Sequence, residues 1–320
     1  MTPTRIGVLG VGAIGGVIAA RLARAGHAVN VVARGSHLAA MARDGLHLSA
    51  PDGDFHAPVE AVADAGDLPP VDVLFLCVKA PDLTKAAAQL GATLIDKAII
   101  VPVLNGIPWW YGTPLPVRAV DLDGALAARF ASARLVGAVA HFAAEVPGPG
   151  AVRQTSTGRL LLGHVQGPAG DAARAAALLS EAGLEARAVP DIGREVWIKL
   201  AGNVAFNPIS ALTGATLSEI CASDELLAVV RQAMGECMAV GTRCGIDFPM
   251  TIDGRIDAAR RIGGSKLSML QDLERGRGIE AAALMGAVME LGNRAGVPTP
   301  TVEMLHALVS ARARHPFERI

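Results

Sequence analysis

The sequence has few aromatic residues, little net charge and no long apolar run, and each scarcity excludes a class of protein. Aromatic side chains make up 3% of the 320 residues, which argues against a surface that stacks the bases of single-stranded nucleic acid. The formal net charge of −1 provides no overall attraction to nucleic acid or to an anionic membrane. The longest apolar runs, such as Val73–Val78, have the length of a strand and are too short to span a bilayer.

The four cysteines and eight histidines are scattered, so they predict neither disulfides nor a metal site. No C-x-x-C pair occurs, and each cysteine lies in an apolar or helical stretch, as expected of reduced thiols in a cytoplasmic protein. No His-Glu-x-x-His motif or histidine pair at helical spacing is present. The N-terminus enters a strand pattern directly, without the regions of a signal peptide, so a cytoplasmic location is expected.

The length of the chain and the change in its secondary-structure pattern together predict two domains, because 320 residues exceed what one ordinary core holds. In the first half, short β-branched runs alternate with helical stretches, which predicts a parallel sheet covered on both faces. From Asp191 onward almost every segment has helical character, punctuated by Gly and Pro. We therefore expect an α/β protein with a nucleotide-binding type of domain over residues 1–190 and an all-helical domain over residues 191–320.

A G-x-G-x-x-G motif, Gly10, Gly12 and Gly15, lies between the first predicted strand and the first predicted helix. Gly10 permits a tight turn, Gly12 lets the backbone approach a pyrophosphate, and Gly15 lets the helix pack closely on the strand. The first helical residues, Ala13 and Ile14, would offer backbone amides and the positive end of the helix dipole to the phosphates. The context predicts a Rossmann-type dinucleotide site, with a glycine-rich turn that binds nothing as the plain alternative.

Three polar residues follow later strands and extend the predicted cofactor site. An NAD site places Asp or Glu at the end of the second strand, whereas this chain has Arg34 there and no acid nearby, which favours NADP(H). An exposed arginine at a strand end is the alternative. Lys79 in "VKA" and Asn105 in "LNG" also follow strands and are candidates for the nicotinamide side of the cofactor. Either alone would more ordinarily be a loop residue that caps a turn.

The segment "EVWIKLAGNVAFNPISALTG", residues 195–214, predicts a buried helix with a polar stripe. Lys199, Asn203 and Asn207 are spaced four apart and so share one helical face. An ammonium and two amides in apolar surroundings cost free energy unless partners satisfy them. Bound ligands or a buried polar network between the domains would each supply those partners.

With "S-M-x-Q-D…G-R…E" in residues 268–280, these motifs make the sequence similar to the ketopantoate reductase family over nearly the whole chain. The specific part is the K-x-x-x-N-x-x-x-N run followed by Ser268 and Glu280, since many dehydrogenases share the glycine motif. Alone, Ser268 would be explained as a helix N-cap and Glu280 as a first-turn acid. The resemblance implies a Rossmann domain followed by an all-helical domain, with the active site in the cleft between them.

The same resemblance implies a role for each matching residue. Lys199 would be the general acid at the keto oxygen, and Glu280 would be its catalytic partner and a ligand of the substrate hydroxyl. Arg34 and Lys79 would bind NADPH. The residues expected to line the substrate site are Asn105, Asn203, Asn207 and Ser268.

The activity implied is the NADPH-dependent reduction of 2-dehydropantoate to pantoate, in pantothenate and coenzyme A biosynthesis. Three departures from the family pattern keep another 2-keto acid open as substrate. Leu217 or Thr216 stands where members often have Asn, and Ala281 and Ala282 fall in the family's T-E-I-D run. The segment that begins at "PWWYG" and runs through Arg134 is longer than the minimal family pattern. A non-catalytic NADP(H)-binding sensor is the alternative from another class. No nucleic acid, membrane or metal partner is expected; the helical domain could support a homodimer, which nothing in the sequence decides.

Overall fold

The chain forms two compact units, and neither is a single continuous segment. The computed structural model describes residues 3–111 and 115–315. The first unit comprises Met1–Leu104 and Ala125–Ile192, and the second comprises Asn105–Gly124 and Gly193–Ile320. The stretch Asn105–Gly124, called the excursion below, therefore groups with the helical half of the chain. Gly112 of the "PWWYG" run lies outside the described residues.

The first unit contains all the strands found among the described residues, arranged in two sheets. The larger sheet has the order β12-β11-β8-β7-β6-β1-β2-β5, and every neighbouring pair is parallel except β8 and β11. The strands are β1 Arg5–Leu9, β2 Ala28–Val32, β3 Leu46–Ala50, β4 Gly53–Ala57, β5 Glu60–Val62, β6 Val73–Leu76, β7 Ile99–Pro102, β8 Arg134–Ala140, β9 Ala144–Gly148, β10 Ala151–Gln154, β11 Arg159–Gln166 and β12 Glu185–Ala188.

Buried apolar side chains explain the interior strands of this sheet. β1 is buried along all but its first residue, and β6 and β7 are buried throughout, as expected for strands covered on both faces.

The helices of the first unit are α1 Ala13–Arg24, α2 Gly35–Asp44, α3 Ala80–Ala88, α4 Ala92–Lys97, α5 Ala125–Arg129 and α6 Gly170–Glu181. The α/β class and the predominantly parallel sheet predicted from the sequence are confirmed.

A second, four-stranded sheet was not predicted as a separate layer. Its order is β4-β3-β10-β9, and it packs against α1, which also contacts β1 and β2 of the larger sheet. The approach is close: a Cβ built on Gly16 of α1 would lie 2.4 Å from the Cγ2 of Val152 in β10. The first helix after the glycine motif is therefore held from both sides.

Every regular element among the described residues of the second unit is a helix, as the sequence predicted from Asp191 onward, whereas the described part of the excursion consists of turns and irregular chain. Its helices are α7 Ile192–Thr213, α8 Leu217–Ala222, α9 Asp224–Arg243, α10 Ile252–Ile262, α11 Ser268–Glu274, α12 Ala287–Ala295 and α13 Pro300–Arg314, with a π-helical turn at Ala282–Gly286 before α12. The helical pattern over 216–245 is two helices, because Ser223 begins α9 and its hydroxyl accepts a hydrogen bond from the Leu226 amide. Within the described ranges, no helix combines the length and apolar character needed to cross a membrane.

Gly15→Ala is expected to destabilise the protein, whereas Gly12→Ala should leave its stability nearly unchanged. A Cβ at Gly15 would lie 2.1 Å from the carbonyl oxygen of Gly10, which is backbone and cannot move aside cheaply. A Cβ at Gly12 would meet no described atom within 4 Å. We expect the free energy of unfolding to fall by about 1–3 kcal/mol in the first variant and by less than about 1 kcal/mol in the second. Urea unfolding of both variants measures the difference, and equal stabilities would contradict this packing.

Candidate active site

The glycine loop between β1 and α1 leaves the start of α1 open. Gly10 has a φ of +99°, and a Cβ there would lie 2.8 Å from the Val78 amide nitrogen, so the tight turn requires glycine. Gly12 is the N-cap of α1, and no side chain caps the first turn, which begins with Ala13 and Ile14. The backbone amides of that turn are therefore available to an anionic group that approaches over Gly12.

Arg34 and Lys79 flank this loop at the carboxyl edge of the larger sheet. β1 pairs in parallel with β2 on one side and with β6 on the other. Arg34 follows β2 as the exposed N-cap of α2, and Lys79 follows β6 as the half-buried N-cap of α3. The chain crosses from one neighbour of β1 to the other at this point, which is where open α/β sheets bind dinucleotides.

His37 anchors the glycine loop and was not predicted from the sequence. The amide of Gly150, between β9 and β10, donates to Nδ1 of His37 at 2.8 Å. Because an amide only donates, Nδ1 accepts, and Nε2 carries the proton that is donated to the Val11 carbonyl at 2.9 Å. A neutral histidine therefore ties the second sheet to the loop. Gly150 lies 113 residues away from His37 in the chain, so no local pattern could have indicated the contact.

In the second unit, Asn105 bridges Lys199 and Glu280. The Lys199 ammonium donates to Oδ1 of Asn105 at 2.7 Å, and Nδ2 of Asn105 donates to Oε2 of Glu280 at 3.3 Å. The amide thus turns its acceptor toward the cation and its donor toward the anion. Three residues that the sequence analysis selected from distant parts of the chain lie together here.

The half-buried Lys199 ammonium is easier to deprotonate than an ordinary lysine. The pKa of Lys199 is about 8 instead of 10.5, chiefly because burial removes hydration from the charged form. The carboxylate of Glu280 raises the pKa in part, and the guanidinium of Arg255 lowers it further. The lysine is therefore protonated at neutral pH and able to give up its proton under mild conditions.

The π-helical turn after Glu280 holds Asn105 in place. The Ile107 amide donates to the Ala283 carbonyl in that turn at 2.9 Å. Gly106 has a φ of +79°, and a Cβ there would lie 2.3 Å from the same carbonyl oxygen. This close approach is the physical reason for the Asn-Gly pair. Single π-helical turns occur often at functional sites.

The remaining predicted residues divide into a bonded pair and an open amide. Asn207 is buried, and its Oδ1 accepts from the Ser268 hydroxyl at 3.2 Å and from the Met269 amide at 3.4 Å. The N-cap explanation of Ser268 is wrong, because Leu267 holds that position. Asn203 is half-buried on the Lys199 face of α7, and its side chain makes no hydrogen bond within residues 3–111 and 115–315. Among those residues, no group of three or more His, Cys, Asp or Glu side chains could hold a metal.

Family models match most of both units. The model described as ketopantoate reductase PanE/ApbA matches residues 6–167, and the model of the C terminal of the same family matches residues 191–313. A curated 2-dehydropantoate 2-reductase of Mesorhizobium japonicum is 44% identical over 317 residues, which cover 95% of this chain and 96% of the relative.

Solved structures share the fold over the same extent. A protein of Ralstonia solanacearum MolK2 matches with a TM-score of 0.91 and 37% identity, covering 98% of each chain. A ketopantoate reductase of the PanE/ApbA family from Ralstonia eutropha JMP134 matches with a TM-score of 0.85 and 29% identity, covering 97% of this chain and 98% of that one.

Lys199→Met is expected to stabilise the protein at neutral pH. Below about pH 8 the folded wild type keeps a protonated, poorly hydrated ammonium, which costs up to about 3 kcal/mol. Between about pH 8 and 10.5 the folded lysine has lost its proton while the unfolded one retains it, so wild-type stability rises with pH and the gain of the variant shrinks. Urea unfolding of both proteins from pH 6.5 to 10.5 measures this. A strongly destabilised variant at pH 7 would instead indicate a polar network that holds the fold.

Proposed function

Because the chain belongs to the ketopantoate reductase family, we propose that it catalyses the NADPH-dependent reduction of 2-dehydropantoate to pantoate. The relative from Mesorhizobium japonicum that carries the name of this activity is similar over nearly its whole length. The strongest support from the site is the contact series from Lys199 through Asn105 to Glu280, with the lysine pKa lowered to about 8.

The reaction needs a hydride at the keto carbon and a proton at the keto oxygen. A nicotinamide cofactor supplies the hydride when bound. Lys199 would stabilise the developing negative charge on the keto oxygen and then give it the proton. Asn105 fixes the direction of the ammonium, and the charge of Glu280 keeps the lysine protonated at neutral pH. A regulatory sensor, the alternative from another class, would have no need of such a proton donor.

Cofactor choice is proposed to depend on Arg34. No Asp or Glu occurs from Val32 through Leu38, so the usual carboxylate for a ribose 2′-hydroxyl is missing from that strand end. The exposed guanidinium of Arg34 fits a 2′-phosphate instead. The open start of α1 above Gly12 fits the pyrophosphate, and we propose that Lys79 and Asn105 serve the nicotinamide side.

Substrate recognition is proposed for Asn203, Asn207, Ser268 and Glu280. Ser268 and Asn207 already hydrogen-bond to each other, so their orientation is fixed before a substrate enters. The carboxylate of Glu280 would accept a hydrogen bond from the substrate hydroxyl. Another 2-keto acid is the runner-up substrate, because the residues after Glu280 are Ala281 and Ala282, neither of which can hydrogen-bond through its side chain.

Three further expectations, on location, domain division and oligomeric state, belong with this proposal. A cytoplasmic location is supported by the four free thiols, of which Cys77 has its pKa raised to about 12 by burial and so is poorly reactive. The division into a dinucleotide-binding domain and a helical catalytic domain with a boundary near residue 190 is retained as a proposal. A homodimer is supported by the exposed apolar side chains of Met304 and Leu308, one turn apart on α13, and light scattering measures it.

The wild-type protein with NADPH should reduce ketopantoate at least about 100-fold more efficiently than 2-ketoisovalerate, which lacks the hydroxyl. A site that hydrogen-bonds a substrate hydroxyl leaves its own polar groups unpaired when that hydroxyl is missing. Steady-state kcat/KM values for both acids check this, and similar values would favour the runner-up substrate.

Lys199→Met is the control for the same assay. It should lower kcat by about 10²–10⁴, the usual contribution of a positioned acid, with NADPH binding retained. Wild-type kcat should also decline as the pH rises through about 8, since the protonated lysine is the active form. Near-normal turnover in a well-folded Lys199→Met protein would rule out the general-acid assignment.

Arg34→Ala should lose roughly ten- to a hundredfold of its preference for NADPH over NADH. The charge-assisted contact with a 2′-phosphate is worth about 1.5–3 kcal/mol, and NADH has no such phosphate. Dissociation constants for both cofactors, measured by fluorescence titration, test this. Arg43→Ala, which removes another exposed arginine of the same unit, is the matched control. A wild type that binds the two cofactors equally would refute the role of Arg34.

A further inference from the structure

Arg255 in α10 is a half-buried arginine that the structure leaves without an anion. Within residues 3–111 and 115–315 its guanidinium has no hydrogen bond and no ion pair. Burial lowers its pKa below the usual arginine value, so the charge is poorly hydrated. Arg260, in the same helix, shows the ordinary alternative: it is exposed and pairs with Asp257 at 2.8 Å.

The guanidinium of Arg255 lies against the backbone of α7 beside the candidate catalytic lysine. A Cβ built on Gly202 would be 2.4 Å from its Nη2, 2.8 Å from its Cζ and 3.0 Å from its Nε. Only glycine permits this contact. Gly202 is three residues after Lys199 and directly before Asn203, so the guanidinium reaches α7 between these two polar side chains.

The local charges favour an anionic ligand at this position. Arg255 is close enough to Lys199 to lower the lysine pKa, so two poorly hydrated cations are neighbours. Glu280 is linked to Lys199 through Asn105 and counters only one of them. A second poorly hydrated cation costs folding free energy, which an anionic ligand would offset.

We propose that Arg255 binds the carboxylate of the 2-keto acid, with the open amide of Asn203 beside it. An arginine fork matches the two oxygens of a carboxylate, and an amide donates a third hydrogen bond. In a 2-keto acid the carboxylate carbon is bonded to the keto carbon. A carboxylate held near Gly202 therefore brings the keto oxygen within reach of the Lys199 ammonium, one turn earlier on α7. This role rests on the proposed reduction of a 2-keto acid and adds α10 to the elements that select it.

The test uses the whole protein with NADPH and compares ketopantoate with its uncharged amide. Arg255→Met should raise KM for the acid by about 10- to 100-fold, change kcat much less, and leave the constants for the amide unaltered. Arg260→Met, the matched control on the same helix, should behave as wild type. Gly202→Ala should reproduce the Arg255→Met pattern. Its new methyl group would occupy the space of the guanidinium, so the substitution disturbs Arg255 without changing Arg255 itself.

Folding is a separate readout for the same variants. Arg255→Met should keep or raise the thermal midpoint, since it removes a poorly hydrated charge that has no partner in the described residues. Arg255→Lys, which keeps the charge but not the fork, should recover part of the affinity for the acid. An unchanged KM for the acid in Arg255→Met, or an equal loss for the acid and the amide, would overturn the proposal.

Calorimetry separates this proposal from the proposed function, because it needs no turnover. Pantoate, pyruvate and 2-ketoisovalerate are titrated into wild type and Arg255→Met in the presence of NADP⁺, with the corresponding amides as uncharged controls. If the wild type fails to reduce ketopantoate but binds one of these anions through Arg255, the assignment of ketopantoate as substrate is refuted. The assignment of Arg255 as the carboxylate-binding residue is then supported. A wild type that reduces ketopantoate and binds pantoate equally well with and without Arg255 would refute the carboxylate site alone.

Discussion

The poorly hydrated ammonium of Lys199 is the feature around which three segments of the second unit meet. Lys199 comes from α7, Asn105 from the excursion, and Glu280 from a position two residues before the π-helical turn. The Asn105 amide joins the lysine to the carboxylate. Burial of this ammonium costs folding free energy and lowers the lysine pKa to about 8.

The first unit has the opposite feature, because it leaves backbone groups without a side-chain cap at the start of α1. The amides at the start of α1 remain uncapped, while the loop before them is fixed by Gly10 and by His37. Rigidity of the loop matters because a phosphate gains most from donors that are already in position. The ring of His37 accepts from the Gly150 amide and donates to the Val11 carbonyl, so one side chain fixes the loop to the second sheet.

Local patterns made part of the site predictable, and long-range packing hid the rest. The glycine loop and the stripe of Lys199, Asn203 and Asn207 are encoded within single elements, so spacing alone reveals them. The second sheet depends on β3 pairing with β10, where His47 is opposite Ala151, and no neighbouring residue signals that contact. Arg255 was hidden for a related reason: in the sequence it is one of three arginines of a surface-like amphipathic helix, and only the missing side chain of Gly202 distinguishes it.

Because each unit is made of two separate segments of the chain, some contacts cannot form until late in synthesis. The excursion leaves the ribosome before Ala125–Ile192, which completes the first unit, and before every helix of the second. The amides of Arg118 and Ala119 must wait for the carboxylate of Glu290, and the Ile107 amide must wait for the carbonyl of Ala283. A nascent chain therefore carries a segment whose hydrogen-bond partners have not yet been made, and a fragment that begins at Gly193 would lack Asn105, which accepts from the lysine ammonium.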